Sequence, residues 1–252
     1  TVFEPRLALA SLSGEADAEW ALAAADHAGA AFLGGIALDE PARKAARRLV
    51  VRDREEFLPP DPLAFIDKQL AAVADADATI RPGFNVRSTT AAPIREAAAI
   101  CADHDAIIEI NAHCRQDELC AVGCGESLLA DTDRLAEYVA VAAETGAAVS
   151  VKVRAEVDGV DLVAVAERIE AAGADAIHLD AMDSEPVVCD VAAATDLFVI
   201  ANNEVRDRES VREYLTYGAD AVSIGRPSRD PEGAVFGRVA DAVAEAEPEV
   251  PP

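Results

Sequence analysis

Short apolar runs alternate with amphipathic stretches along the whole chain. The apolar runs are Arg6 to Leu12, Ala31 to Ile36, Thr79 to Val86, Ala106 to Asn111, Ala148 to Val153, Ala176 to Asp180, Leu197 to Asn203 and Ala221 to Gly225. Each is continuous rather than strictly alternating, as expected of parallel strands covered on their outer face. Between them the helical period predicts Asp17–Ala28, Pro62–Ala74, Ala91–Cys101, Asp131–Thr145, Val160–Ala172 and Ser210–Tyr217. Gly29, Gly173 and Gly218 each fall just after a helix and just before a strand, where a left-handed residue ends the helix at little cost. Repeated strand, helix, glycine turn, strand units predict right-handed βαβ crossovers. An open doubly wound sheet uses the same units, so the count of strands decides. Eight strands predict a single-domain α/β chain, a (β/α)8 TIM barrel over residues 1–252. The stretch Arg52–Pro62 (RDREEFLPPDP) is the one long irregular connection, and the Pro-rich tail, about 246–252, is expected to fray.

The bulk numbers agree with that reading. A chain of 252 residues sits inside the range of one such barrel and can bury a full core without disulfides. Hydrophobic residues make up 51% but aromatics only 4%, so Ala, Val, Leu and Ile must build the core. No apolar run is long enough to span a bilayer, and no basic-then-apolar leader opens the chain, which predicts a cytoplasmic location. The formal net charge is −25, and only Lys44, Lys68 and Lys152 are lysines. Acidic excess spread along the whole chain predicts a halophilic, salt-adapted surface whose self-repulsion is screened. For that reason charge alone does not exclude an RNA substrate. The dense basic run Arg43, Arg47 and Arg48 has roughly helical spacing and is more often a solvated face than an RNA site. Five cysteines, an odd number, argue against a disulfide framework.

Barrel enzymes place their chemistry at the carboxyl ends of strands and in the loops that follow. Here those ends read Ser11-Leu12-Ser13, Asn85-Val86-Arg87, Asn111-Ala112-His113-Cys114-Arg115, Lys152-Val153-Arg154, His178-Leu179-Asp180, Asn202-Asn203-Glu204 and Gly225-Arg226. Lys152 stands inside an apolar strand of a chain that otherwise uses Arg. Its stem could simply pack along the barrel. A compact ammonium would also suit the N1–C2=O edge of a reduced, anionic flavin. Gly225-Arg226 follows the last strand, the usual phosphate position of this fold. Cys114 lies past a strand end between His113 and Arg115, where cationic neighbours favour the thiolate and suit it to proton transfer. The alternative is a small buried hydrophobe. Cys114, Cys120 and Cys124 together offer a metal or cluster reading, but their spacing matches no standard ligand run, so no metal is expected. His178 reads equally as a satisfied core imidazole or a cofactor contact.

These segments resemble a known family. Asn111-Ala-His-Cys114-Arg followed by Gly123-Cys-Gly125-Glu-Ser-Leu-Leu129 is similar to the "N-x-G-C-P … G-x-G-x-x-L-L" signature of tRNA-dihydrouridine synthases. Val151-Lys152-Val-Arg154 resembles that family's "V-K-x-R", Ile177-His178 its "I-H-G-R", Val199-Ile-Ala-Asn202 its "I-x-N-G-D" and Ile224-Gly225-Arg226 its "I-G-R". Order and spacing agree from about residue 80 to 230. The resemblance implies a barrel dependent on flavin mononucleotide (FMN). It implies Lys152 and His178 on the isoalloxazine, Asn85 on the flavin's pyrimidine edge, and Asn202, Gly225 and Arg226 on the phosphate arm. Asn111 and Arg154 would face the substrate, and Cys114 would be the general acid. The implied reaction is at a C=C bond of a pyrimidine-like ring, with NAD(P)H a candidate electron donor and no membrane or DNA partner. Three departures stand out. Gly-Cys-Pro has become His-Cys-Arg, the Gly-Arg after His178 is Leu179-Asp180, and the Pro-Met after strand 1 is Ser11-Leu12. The chain also ends soon after its eighth helix, where those synthases carry a helical tRNA-gripping domain. It therefore looks like a short archaeal branch of the superfamily that also holds dihydroorotate dehydrogenases. Its substrate stays open between tRNA, a free pyrimidine and, in a non-redox barrel, a sugar phosphate. The oligomeric state is likewise open.

Overall fold

The computed structural model describes residues 2–76 and 78–246. The expected frayed tail lies, apart from its first residue, outside them. Eight parallel strands close into a barrel in sequence order: β1 (Leu7–Leu9), β2 (Ala30–Ala37), β3 (Arg81–Arg87), β4 (Ile107–Asn111), β5 (Ala148–Arg154), β6 (Ala176–Asp180), β7 (Phe198–Asn202) and β8 (Ala221–Ile224). The helices are α1 (Ala18–Leu22), α2 (Glu40–Val51), α3 (Pro62–Asp75), α4 (Ala91–Asp103), α5 (Asp117–Cys120), α6 (Ser127–Ala130), α7 (Thr132–Ala143), α8 (Leu162–Ala171), α9 (Val187–Ala194), α10 (Arg208–Thr216) and α11 (Ala234–Ala246). No helix among the described residues is long and apolar enough to cross a membrane.

Two elements fall short of the sequence pattern. Strand 1 was expected to reach Leu12, but pairing stops at Leu9 and the chain leaves the sheet, so that Ser11 and Leu12 line a cavity instead. The helix expected over Asp17–Ala28 ends at Leu22, because its continuation makes i→i−3 bonds such as Ala24 N to Ala21 O and Ala25 N to Leu22 O. The irregular connection after α2 is as expected: residues 54–59 take no regular structure.

The acidic composition does local work at helix starts. Asp17, Asp39, Asp61, Asp131, Asp161 and Asp207 each cap a helix N-terminus with their side chains. A carboxylate there satisfies orphan N–H groups and complements the helix dipole. Asp39 does more, accepting also from Ser88 Oγ at 2.9 Å and Thr89 N at 2.7 Å, which ties the β2 and β3 loops together.

Inside the barrel, side chains of alternate residues separate into two zones. The amino-terminal half is an apolar plug of Phe3, Ala8, Ala30, Phe32, Ile107, Ile200 and Ala221. Above it the same inward positions turn polar while staying buried: Asn85, Arg87, Glu109, Asn111, Ser150, Lys152, His178 and Ser223. The outward positions, among them Ile108, Ile110, Val149, Val151, Ile177 and Leu179, pack against the helical ring. Burying so many polar groups is tolerable only if they bond to one another or to a ligand.

Candidate functional site

Asn85, Glu109, Asn111, His178 and Ser223 of the polar zone join Asn202 in one connected chain. Asn202 Nδ2 donates to Ser223 Oγ at 2.6 Å, and Ser223 Oγ meets His178 Nε2 at 2.7 Å. His178 Nδ1 lies 2.7 Å from Glu109 Oε2, and Asn85 Nδ2 donates to Glu109 Oε1 at 2.6 Å. Asn111 Nδ2 donates to Asn85 Oδ1 at 2.9 Å, while its own Oδ1 accepts from the backbone N–H of Cys114 at 3.0 Å and of His113 at 3.2 Å. Burial opposes ionisation of Glu109, but the His178 ring, the Lys152 ammonium and the Asn85 amide outweigh it, and the carboxyl sits below its ordinary range. Burial and then Lys152 push His178 down against the pull of Glu109, so its ring is neutral. A neutral ring between a carboxylate and a hydroxyl fixes the tautomer: Nδ1–H donates to Glu109, and Nε2 accepts from Ser223. The donors thus converge on Glu109 from both ends, from Asn202 through Ser223 and His178, and from the backbone N–H of Cys114 through Asn111 and Asn85.

A cavity of about 660 Å3 opens above this floor. Lys152, Asn111, His113 and Cys114 line its depth, Ser11 to Ser13 one wall, and Glu15, Asp53, Arg54, Glu55, Arg226 and Arg229 its mouth. Lys152 is 5% exposed, and its ammonium has no hydrogen-bond or ion-pair partner among the described residues. A second cavity of about 520 Å3 adjoins, lined by Asp180, Asn202 to Arg206, and Ser223 to Pro227, with Arg226 shared by both. Its wall at Gly225 is open: a Cβ added there would meet only Leu12 Cδ2, 4.0 Å away. Among the described residues the backbone N–H groups of Gly225 and Arg226 reach no acceptor. A buried unpaired ammonium, free backbone donors and an exposed arginine suit a ligand with an anionic ring and a phosphate. The residues present therefore fit a flavin mononucleotide.

The region around Cys114 carries opposite charges in close order. Burial pushes the thiol up, but the Arg87 guanidinium and the His113 imidazole more than offset this, leaving it at about 7. Burial likewise disfavours the charged His113 ring, yet Asp180, whose Oδ2 is 2.7 Å from Nε2, raises it above its ordinary value. Arg87 is buried, donating to Glu56 Oε2 at 2.8 Å, to Gly35 O at 2.7 Å and to Ser13 Oγ. That pair pins the irregular connection after α2 over the cavity. Gly125, at φ +65, is needed here, because a Cβ would come within 2.0 Å of the Cys114 carbonyl oxygen.

Of the residues singled out in the sequence, Lys152, Asn111, Cys114 and Arg226 share the first cavity, and Asn202, Gly225 and Arg226 the second. Asn85 and His178 lie beneath as fully buried members of the network. Arg154 stands apart: it donates to Glu126 Oε2 at 2.6 Å and lines neither cavity. Burial pushes Cys124 to about 12, and among the described residues no three His, Cys, Asp or Glu side chains are grouped to hold a metal. The sequence reading missed Glu109, Ser223, the Arg87–Glu56 pair and the meeting of His113 with Asp180. For Glu109 and Ser223 a signal existed, since both sit at inward positions two residues from a noted site residue.

Comparison with known proteins follows the same lines. A protein-family model described as dihydrouridine synthase (Dus) matches residues 84–249. An uncharacterised protein of Methanocaldococcus jannaschii is 26% identical over 239 residues, covering 88% of this chain and 89% of its own length. Among solved structures, DHODH of Eimeria tenella in complex with ferulenol superposes with TM-score 0.71 at 14% identity, covering 95% of this chain and 80% of that one. A mutant FabK of Thermotoga maritima gives TM-score 0.60 at 15% identity over 90% of this chain, which spans only 62% of the FabK length. The tryptophan synthase complex of Pyrococcus furiosus gives 0.59 at 14%, covering 95% and 96% of the two chains. At such identities the structural likenesses speak for the barrel fold alone.

Proposed function

The chain belongs to the dihydrouridine synthase family, and from that premise we propose that it is an FMN-dependent oxidoreductase acting on a C=C bond of a pyrimidine-like substrate, with NAD(P)H as electron donor. The observation that carries the proposal is Lys152. A buried ammonium without a partner, facing a cavity of flavin-accommodating size, needs an anionic ligand to complete it.

When bound, the flavin ring supplies hydride transfer. This chain's own residues do the rest. Lys152 would hold the ring's electron-rich edge and offset negative charge there. Asn85 and His178, buried beneath, fix the orientation of the groups around Lys152 rather than contacting solvent. Gly225 and Arg226 offer backbone donors and one guanidinium to the phosphate, with Asn202 locking the strand ends on either side through Ser223. Asn111 seats the Cys114 loop by accepting both of its N–H groups. Cys114, with its thiol near 7, supplies a proton to one carbon of the substrate double bond. Arg154, tied to Glu126, reaches a substrate only if that pair opens.

Reconstitution tests the cofactor. Protein mixed with FMN should take on flavin absorbance and quench flavin fluorescence, and a colourless protein that ignores FMN would overturn the reading in favour of a non-redox phosphate-binding barrel. Mass spectrometry of tRNA from a deletion strain tests the substrate, with loss of dihydrouridine expected. A second reading, a free dihydroorotate-type pyrimidine, is favoured by the net charge of −25, which repels a polyanion. Unchanged tRNA together with turnover of free pyrimidine would select it.

A further inference from the structure

Two of the places where this chain departs from the motifs it resembles meet in space. His113 stands where the signature has glycine, Asp180 where it has arginine, and their side chains are 2.7 Å apart. His113 comes from the loop after β4 and lines the first cavity, while Asp180 ends β6 and lines the second. Asp180 is fixed in turn by the Met182 backbone N–H at 3.2 Å. The side chain of His113 keeps 29% exposure against 14% for Asp180, so the imidazole reaches the cavity while its partner is covered. Cys114 follows directly and faces the same cavity.

We propose that His113, clamped by Asp180, is the positioning residue that readies Cys114 for each turnover. Its imidazolium steadies the sulfur as a thiolate once the proton has gone to substrate, then hands it a proton taken up from the cavity mouth. The N–H bond of the ring breaks as the S–H bond forms, the bared nitrogen recovers a proton from water, and no group changes oxidation state. The inference rests on the reading of Cys114 as the proton donor. Other charged groups set the background. Arg87 from β3 favours the thiolate, and Glu56 from the connection after α2 opposes it. Lys152 from β5 opposes the charge on His113. The loop that bears His113 also carries Arg115, Asp117, Glu118 and Glu126 beside Cys120 and Cys124, and burial holds both of these thiols above their ordinary value. Only His113 among these both lines the cavity and carries an imidazole, the side chain suited to gaining and losing a proton at physiological pH.

The test reads Cys114 directly. Iodoacetamide labelling across pH, quantified on the Cys114 peptide by mass spectrometry, excludes exposed Cys189 from the signal. The parent midpoint should fall at about 7. His113→Gln should raise it by about one pH unit, the scale of losing an opposite charge at close range. Asp180→Asn should move it the same way, because the imidazole then loses the anion that keeps it charged. His113→Arg separates the two parts of the role. It restores a cation but cannot release a proton, so the midpoint should stay near the parent's while kcat falls at least about tenfold with KM little changed. Added imidazole should rescue His113→Gln turnover. Unmoved midpoints in His113→Gln and Asp180→Asn, in proteins that still fold and bind FMN, would overturn the proposal. So would full turnover by His113→Arg. A Cys114→Ala enzyme that turned over normally would sink the proton-donor reading instead, and is told apart because the labelling midpoints do not depend on turnover.

Discussion

Replacing Glu109 with Gln tests whether the buried network is held by a charge rather than by shape. The side chain is fully buried, and its two oxygens accept from Asn85 at 2.6 Å and His178 at 2.7 Å. Gln keeps the volume and can still accept from Asn85, now as a neutral bond of about half the strength. Its amide nitrogen, however, faces the Nδ1–H of His178, donor against donor. The ring can escape only by moving its proton to Nε2, which forces the Ser223 hydroxyl away from the ring toward Ala201 O, 3.5 Å distant. Loss of one charge-assisted bond costs roughly 1.5–3 kcal/mol, and weakening the other adds about 1 kcal/mol. The variant should therefore lose about 3 kcal/mol. For a protein of this size that is a fall in Tm of roughly 6–12 °C. Thermal melting by circular dichroism at pH 7 reads it, with exposed Glu96→Gln as a control expected to move Tm by less than about 2 °C. Because Lys152 loses its nearby counter-charge in Glu109→Gln, adding Lys152→Met should cost less than the two single losses combined. A Glu109→Gln protein within about 2 °C of the parent would refute the charged-network account.

Lys152→Met should weaken FMN binding by about ten- to a hundredfold, the equivalent of one lost hydrogen bond to a charge, as read by quenching of flavin fluorescence. Gly225→Leu should leave Tm nearly unchanged, since the added side chain points into open space, yet loosen FMN by filling the phosphate cradle; unaltered affinity would move the phosphate elsewhere. Gly125→Ala should be damaging without touching any ligand, because its Cβ would press on the Cys114 carbonyl at a positive φ, and a normal melting curve would contradict the loop geometry. Turnover limited by Cys114 needs the thiol form, so its rate should be full below about 7 and fall as pH rises through that value. On the acid side, Glu109 is held below its ordinary range, so its contribution to stability is present above about 4.5 and lost as pH falls through its folded value, which acid melts should show and Glu109→Gln should abolish.

Much of the fold can be read from the chain because a barrel strand buried on both faces is a continuous apolar run, and the glycines after helices mark where each run begins. What escaped was governed by tertiary contact. Ser11 and Leu12 continue the run in sequence, but the chain leaves the sheet after Ala10, whose N–H still bonds to Ile224 O, and both line the cavity. Ala23 to Ala28 are as helix-prone as any alanine-rich segment, but they tighten into turns to bring Gly29 against Leu7. The site separates in the same way. Lys152, Cys114 and Gly225-Arg226 stood out because their residue types are unusual at strand ends. Glu109 and Ser223 were hidden inside apolar strands, where only the inward period of two reveals that they belong with Asn85, Asn111 and Asn202. Arg87–Glu56 and His113–Asp180 join residues far apart in sequence, and no local pattern announces such pairs.

The charge of the molecule is sorted by position, and that sorting bears on what the cavity admits. Outside, carboxylates cap helices and pair with arginines, and the excess leaves the chain at −25. Inside, three buried or half-buried anions have a cationic or imidazole partner: Glu109 with His178 below Lys152, Glu56 with Arg87, Asp180 with His113. Lys152, Arg54 and Arg226 line the cavities with no carboxylate bound to them among the described residues, while Arg229 at the mouth is already taken by Glu15. An approaching anion therefore meets the repulsion of the net charge first and the attraction of the cavity's cations only at contact. In dilute salt the repulsion reaches about 10 Å, but at molar ionic strength it shrinks to about 3 Å, whereas the buried attraction is hardly screened. High salt thus opens the mouth to a small anion without loosening the floor that holds it.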